Sequence, residues 1–164
     1  MTEHVMIRWM IRADYPAVLE VEHGSFEYPW SLADLVRHLQ RRNCVGLVAE
    51  HEEQVVGFVI YDLHKDRIHV QNFAVAPAYR RRGIGRRMID RLVGKLSRQH
   101  RKLIVMETRE RNLCAQLFFR AQRFRWTDTI LDHYDNGETA YRFGLPFGAA
   151  RGPCNLKQTE SATN

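Results

Sequence analysis

The stretch V-A-P-A-Y-R-R-R-G-I-G-R-R-M, residues 75–88, sets five arginines around a pair of glycines. It follows a β-branched run that ends at Pro77, and it opens a segment with helical periodicity. The order is therefore strand, tight turn, helix. Like charges crowded on a turn repel, so an anionic ligand that relieves them is the natural partner. N–H groups at a helix start point outward with the positive end of the dipole, and glycines let a ligand come close. A dinucleotide fingerprint needs a third small residue where Met88 stands, and a P-loop needs a G-K-[ST] that is absent. Two readings stay open on spacing alone: a pyrophosphate held by the turn, or a basic loop beside a solvated helix.

Charge is distributed to match. Between Arg80 and Lys102 lie ten Lys or Arg and a single acid, Asp90, which leaves 15 bases and 18 acids elsewhere. The net charge of +6 is thus a local patch, fitting phosphate groups on a small molecule or a nucleic-acid backbone. Cys44, Cys114 and Cys154 form no close pair, which argues against a disulfide framework and predicts two packing thiols and one tail thiol. No histidine or cysteine spacing suits a metal, and none is expected. The longest apolar stretch, Val55–Tyr61, is far short of the ~20 residues that span a bilayer. A soluble, cytoplasmic protein with no membrane partner is expected.

The pattern along the chain predicts a mixed α/β sheet in one domain. Asp14-Tyr-Pro16 opens a helix with Asp14 as N-cap, and Val18, Leu19 and Val21 form its apolar face. Ser31 opens a second helix, with Asp34 at the capping-box position. Val45–Glu50 and Val55–Asp62 read as a hairpin, and Arg67–Ala76 as a third strand. Past Gly85, Met88, Ile89, Leu92, Val93 and Leu96 share one helical face. Residues 103–107 are a short buried strand. Asn112–Gln122 is a helix with Leu113, Leu117, Phe118 and Ala121 inward. Strands near 126–133 and 138–144 flank an Asn136-Gly137 turn. The domain is set at 1–146, and residues 147–164, rich in Gly, Pro and small polar types, are set as a flexible tail.

With N-F-A-V-A-P (72–77) ahead of it, R-R-R-G-I-G resembles the R/Q-x-x-G-x-G/A acetyl-CoA pyrophosphate motif of the GNAT N-acetyltransferase superfamily. F-E-Y-P-W-S (26–31) is similar to the F-x-x-P-W-S segment of its RimI-like branch, the ribosomal-protein alanine N-acetyltransferases. M-E-T-R-E-R-N (106–112) is similar to its L-E-V-R-x-x-N, and Asn112, Ala115 and Phe124 hold their places in N-x-x-A-x-x-x-Y-x-x-x-G-F. The likeness covers about residues 5–145. It implies the GNAT fold: a central, mostly antiparallel sheet flanked by helices, with a V-shaped splay between two parallel strands.

The resemblance also implies a chemistry, with acetyl-CoA as cosubstrate. Arg80, Arg81, Arg82, Gly83, Ile84, Gly85 and Arg86 are implied to hold the pyrophosphate and 3′-phosphate. Phe73, Ala74 and Val75 are implied to take the pantetheine arm, with the Val75 N–H polarising the thioester carbonyl, and Asn112 to contact the same arm while capping its helix. Glu107 matches the branch's general base. The residue type suits the task, because an α-amine with pKa ~7.7–8.0 is already about one-tenth neutral at pH 7, whereas a lysine near ~10.4 is almost wholly charged. A strand-end acid paired with Arg109 is the other reading of Glu107. Phe26, Tyr28, Pro29 and Trp30 are implied to line the acceptor groove, or else to staple their loop. Tyr134 lies near a groove tyrosine.

Two positions depart from the pattern. Phe119 replaces the tyrosine that protonates the leaving thiolate, so either Tyr134 serves as acid or none is needed; Phe119 itself is grouped with the cofactor-binding residues. Arg123 replaces a glycine, which demands another turn or a strained positive φ. The expected activity is acetyl transfer to a protein or peptide N-terminus, with a ribosomal protein's as the one the resemblance implies. The alternatives are a GNAT enzyme for a small amine or lysine side chain, and a non-catalytic acyl-CoA or nucleic-acid binding module. Nucleic acid is not expected as the partner.

Overall fold

A computed structural model describes residues 4–149. Seven strands form one sheet in the order β1-β2-β3-β4-β5-β7-β6. They are β1 (Val5–Trp9), β2 (Cys44–His51), β3 (Gln54–Leu63), β4 (Arg67–Val75), β5 (Leu103–Arg109), β6 (Arg125–Ile130) and β7 (Ala140–Pro146). The helices are α1 (Tyr15–Ser25), α2 (Leu32–Leu39), α3 (Ile84–Val93) and α4 (Leu113–Ala121). Neighbouring strands run antiparallel except β4 and β5, which are parallel.

Two cores lie on opposite faces of this sheet. Val18, Val21 and Leu35 of α1 and α2 pack on Val48, Phe58, Ile60 and Ala74. On the other face Ile84, Met88, Ile89 and Leu92 of α3 and Phe119 of α4 pack on Val59, Tyr61, Ile68, Val70, Ile104, Met106 and Phe143. Alternation along β3 and β4 feeds both layers, the period-2 rule of a sheet covered on two sides. Residues 147–149 follow β7 as a turn, and the remainder of the predicted tail, with Cys154, lies outside the described residues. Among the described residues no helix is long and apolar enough to cross a membrane.

Several local expectations hold for the stated reasons. Ser31 Oγ accepts from the Asp34 N–H at 3.1 Å, and the Asp34 carboxylate accepts from the Ser31 N–H at 2.9 Å, so the capping box forms. The β2–β3 hairpin closes through Glu52 and Glu53 at φ 48° and 64°, a pair of left-handed residues that matches the strand twist.

Others do not hold. Strand β1 was not expected, because one arginine interrupts five residues and only Val5 is buried. It forms by adding to the β2 edge, with Arg8 bound to Glu50 at 2.7 Å and to Asp14 at 2.8 Å. That pairing also redirects Asp14, which precedes α1 but makes no side-chain cap; its carboxylate accepts from Arg8 and from the Ile11 N–H.

On α4, Leu113 and Leu117 are 61% and 55% exposed, and Ala121 is exposed. The inward stripe is Ala115, Phe118, Phe119 and Gln122 instead. Two adjacent phenylalanines turned to the core rotate the leucine ridge outward. Cys114, on the same outer side, is exposed and not a packing thiol. The link between β6 and β7 spans residues 131–139, so Gly137 (φ 80°) sits inside a long loop and not in a two-residue hairpin turn.

Candidate active site

Strand β4 pairs with β5 only from Arg67↔Leu103 to Val70↔Met106. At that point the β3–β4 register shifts between Ile60 and Tyr61, leaving Gln71 as the extra residue of a bulge. A bulge bends its strand. Beyond it Asn72–Val75 stay with β3 while Glu107–Arg109 stay with β7, and the two parallel strands part. A cleft of about 510 Å³ opens there, with Phe73 and Asn72 on one wall and Glu107, Thr108 and Arg109 on the other.

The backbone of β4 faces this gap at alternate residues. The Ala76 N–H bonds to Val56 O at 2.8 Å, so Val75 and Phe73 turn their groups away from β3. The Phe73 N–H is met by Asn72 Oδ1 at 2.8 Å, and Val75 O accepts from Arg80 Nε at 2.9 Å. The arginine turn is therefore tied to the strand that precedes it.

In that turn Arg81 (φ 65°) and Gly83 (φ 78°) are both left-handed, and Gly83 is the N-cap of α3. A Cβ on Gly83 would meet nothing within 4 Å, whereas one on Gly85 would lie 2.8 Å from the Phe118 ring. The two glycines thus differ in role. Gly83 supplies the turn conformation beside open space; Gly85 makes room for an α4 aromatic. Arg82 lies over the Tyr79 ring, Arg86 pairs with Asp90 at 3.8 Å, and the Ile84 side chain is in the core.

The residues that the resemblance assigns to an acceptor groove gather at the same cleft. Phe26, Tyr28, Pro29 and Trp30 of the α1–α2 loop line it with Tyr134, Asn112 and Phe119. Of the sequence-derived candidates, Ala74, Val75 and Arg80–Arg86 stand outside its lining. Trp30 stacks on His38 at 4.1 Å, and Asn112 caps α4 through Oδ1 to the Ala115 N–H at 3.1 Å. Phe119, 4% exposed, sits among the rings of Phe73, Phe118, Phe124 and Phe143. Arg123 takes the strained option, φ 71°, with the Phe124 N–H reaching Phe119 O at 3.0 Å across the end of α4.

Glu107 is not the partner of Arg109. Its Oε2 meets His69 Nε2 at 2.6 Å and its Oε1 accepts from Arg142 Nε at 2.8 Å. Burial pushes this carboxyl up, but the hydrogen bonds from His69 and Arg142 outweigh it and hold the group below its ordinary value. Arg109 pairs with Glu138 at 2.8 Å, its guanidinium lying 4.6 Å from the Tyr28 ring centre and 3.8 Å from that of Tyr134. Burial raises the Tyr134 phenol to about 12, against the pull of Arg109.

Glu22, 2% exposed, accepts from the Trp30 N–H at 2.8 Å and from Asn72 Nδ2 at 2.9 Å, and burial raises its pKa. Sequence reasoning missed Glu22, Asn72, His69 and Arg142. The available signal was polar residues at alternate positions of central strands: His69 on β4, Asp62 opposite it on β3, Glu107 on β5 and Arg142 on β7 share one face.

A sheet parted between two parallel strands, with a basic glycine turn behind one of them, is the architecture of an acyl-CoA-dependent transferase. The sequence model of the Acetyltransferase (GNAT) family matches residues 12–124, and the chain belongs to that family, as an N-acetyltransferase. It is 24% identical over 129 residues to the ribosomal protein bS18-alanine N-acetyltransferase of Haemophilus ducreyi, covering 79% of this chain and 88% of that one. The crystal structure of the Escherichia coli ribosomal-protein-S18-alanine N-acetyltransferase superposes with a TM-score of 0.76 at 23% identity, over 92% of this chain and 97% of that one. NAA60 of Arabidopsis thaliana, solved in complex with acetyl-CoA, gives a TM-score of 0.73 at 16% identity, over 87% and 98%.

Proposed function

We propose that the protein transfers the acetyl group of acetyl-CoA to the α-amino group of a protein or peptide N-terminus, with a ribosomal protein as the acceptor and the cytoplasm as the setting. The observation that carries this reading is the meeting, at one cleft, of the unpaired end of β4, the Glu107 carboxylate and an aromatic lip of Phe26, Tyr28, Trp30 and Tyr134. The names of its relatives support a protein N-terminus as acceptor.

In this reading the 80–86 turn holds the phosphates of CoA, with amides and guanidinium groups acting on charge that does not change during reaction. The pantetheine arm lies along Phe73–Val75 and against Asn112 and Phe119, displacing Asn72 Oδ1 from the Phe73 N–H. The Val75 N–H supports the thioester oxygen as it gains charge. The acceptor nitrogen attacks the carbonyl carbon, its proton passes to Glu107 directly or through one water, the C–N bond forms and the C–S bond breaks. The thiolate leaves as such and takes a proton from solvent, since a thiol of pKa ~8.5 needs no dedicated acid near neutrality.

The test is acetyl transfer by the purified protein to three acceptors: a peptide with a free N-terminus, the same peptide blocked at its N-terminus but carrying a lysine, and a small primary amine. Transfer to the free N-terminus alone is expected. Preferred transfer to the lysine or the small amine overturns the acceptor class, and absence of transfer alongside tight CoA binding overturns the enzymatic reading.

A further inference from the structure

Glu107 is held at both oxygens, and the holders differ in kind. Arg142 is a permanent cation. His69, an imidazole, is the one of the two that can exist with or without a charge. A carboxylate below its ordinary value is ionised and can only accept, so the 2.6 Å contact places a hydrogen on His69 Nε2. That bond and the one from Arg142 use one lone pair on each oxygen, leaving the others for the cleft.

His69 has Val105 as its β5 neighbour, and polar groups flank it along the rest of its face of the sheet. Asp62 is its cross-strand partner on β3, itself bound by Arg41 from the end of α2 and by Gln71 of β4. The His64 ring lies 6.5 Å away in the β3–β4 link. Across Glu107, Arg142 of β7 reaches Asp128 of β6 at 3.9 Å, and the Tyr134 hydroxyl feels the Glu107 charge from the β6–β7 loop. His69 thus lies in a row of fixed charges between two carboxylate-bearing strands, with its own side chain 26% exposed and open to proton exchange.

Building on the reading of Glu107 as the proton acceptor, we propose that His69 is a positioning residue that aims the Glu107 carboxylate and couples its basicity to the protonation of the imidazole. With His69 charged, Glu107 sits between two cations and takes a proton reluctantly. With His69 neutral, Nε2 still donates and the aim is kept, but one of the two opposing charges is gone. An opposite charge at this range moves a carboxylate by ~1–3 pKa units, so the basicity of Glu107 changes by about tenfold or more between the two states. Acetyl transfer then depends on two ionisations on its acid side, the acceptor amine and His69.

The experiment is the pH dependence of kcat/KM for the full chain with acetyl-CoA and a free N-terminal peptide, from about pH 6 to about pH 9. The parent is expected to show two ionisations on the acid limb. His69→Gln keeps a neutral donor and is expected to show one, with the fall in rate between about pH 8 and about pH 6 reduced by about tenfold. His69→Arg, a fixed cation, is expected to be slow throughout with a single ionisation. CoA affinity by calorimetry stays at the parent value in each folded variant. A His69→Gln profile that retains both ionisations overturns the proposal. Should that variant fail to fold, an NMR titration of the His69 ring in the parent decides it: a midpoint away from the kinetic one overturns the coupling. Glu107→Gln separates the layers. If it is as fast as the parent, the base assignment falls and this inference with it; if it is slow while His69→Gln keeps the parent profile, only the role of His69 falls.

Discussion

Replacing Tyr134 by Phe removes one hydroxyl and leaves the ring on the Arg109 guanidinium, at 3.8 Å in the parent. If that hydroxyl were the acid for the leaving thiolate, its loss would cost ~10²–10⁴-fold in turnover. Its environment argues otherwise. Burial raises the phenol to about 12, whereas a thiol sits near ~8.5, so full proton transfer runs uphill by ~3.5 units, or about 5 kcal/mol at ~1.36 kcal/mol per unit. The thiolate gains little from such a donor. Tyr134→Phe is therefore expected to keep kcat within about threefold while raising the acceptor KM by about three- to tenfold, the worth of one hydrogen bond at ~0.5–1.5 kcal/mol. Steady-state kinetics with saturating acetyl-CoA and a varied peptide read both parameters. A fall in kcat of ~10² or more with acceptor KM unchanged, recovered by adding Phe119→Tyr, would refute the acid-free mechanism.

Gly83→Asp sets a carboxylate beside the 80–86 turn at a left-handed position that Asp tolerates, and is expected to weaken CoA binding by ~10-fold or more, while Gly83→Asn is expected to weaken it far less; calorimetry that finds the two alike sinks the charge argument. Arg123→Gly relieves a φ of 71° and is expected to stabilise the fold by ~1 kcal/mol, a rise of ~2–4 °C in Tm with CoA affinity unchanged. Glu22 has a folded pKa raised above its ordinary 4.5, so the native state holds that proton more readily than the unfolded chain and stability falls as pH rises through the raised value. Glu22→Gln lacks that slope, and thermal melts are expected to show it gaining on the parent from acid toward neutral pH; a gain in the opposite direction contradicts the assignment.

Much of this was legible because local signals agreed with the fold. The apolar face of α3, the Ser31–Asp34 box and the β2–β3 hairpin are each written within about ten residues, where periodicity and capping chemistry speak directly. The motif residues Glu107, Asn112 and Trp30, together with the isolated Tyr134, line one cleft. What escaped depends on partners far along the chain. Strand β1 exists because β2 offers an edge and Arg8 finds Glu50, 42 residues away. The pairing of Glu107 with His69 and Arg142 spans 38 and 35 residues, and the nearer Arg109 stood only as an alternative partner, while its real partner, Glu138, lay across a loop. On α4 the leucines carried the hydrophobic signal, but the larger rings of Phe118 and Phe119 claimed the core.

Arg109 touches Tyr28 on one lip of the cleft and Tyr134, Asn136 and Glu138 on the other. Residues that share one partner do not change independently, and their substitutions fail to add. The two lips of the mouth are therefore coupled through one guanidinium. Changing Tyr28 alone leaves Arg109 half-stacked and bears on the far lip as well, so redesign of this mouth calls for paired replacements on both lips or for replacing Arg109 first. That makes position 109 the keystone of the mouth, whether or not it ever touches a ligand.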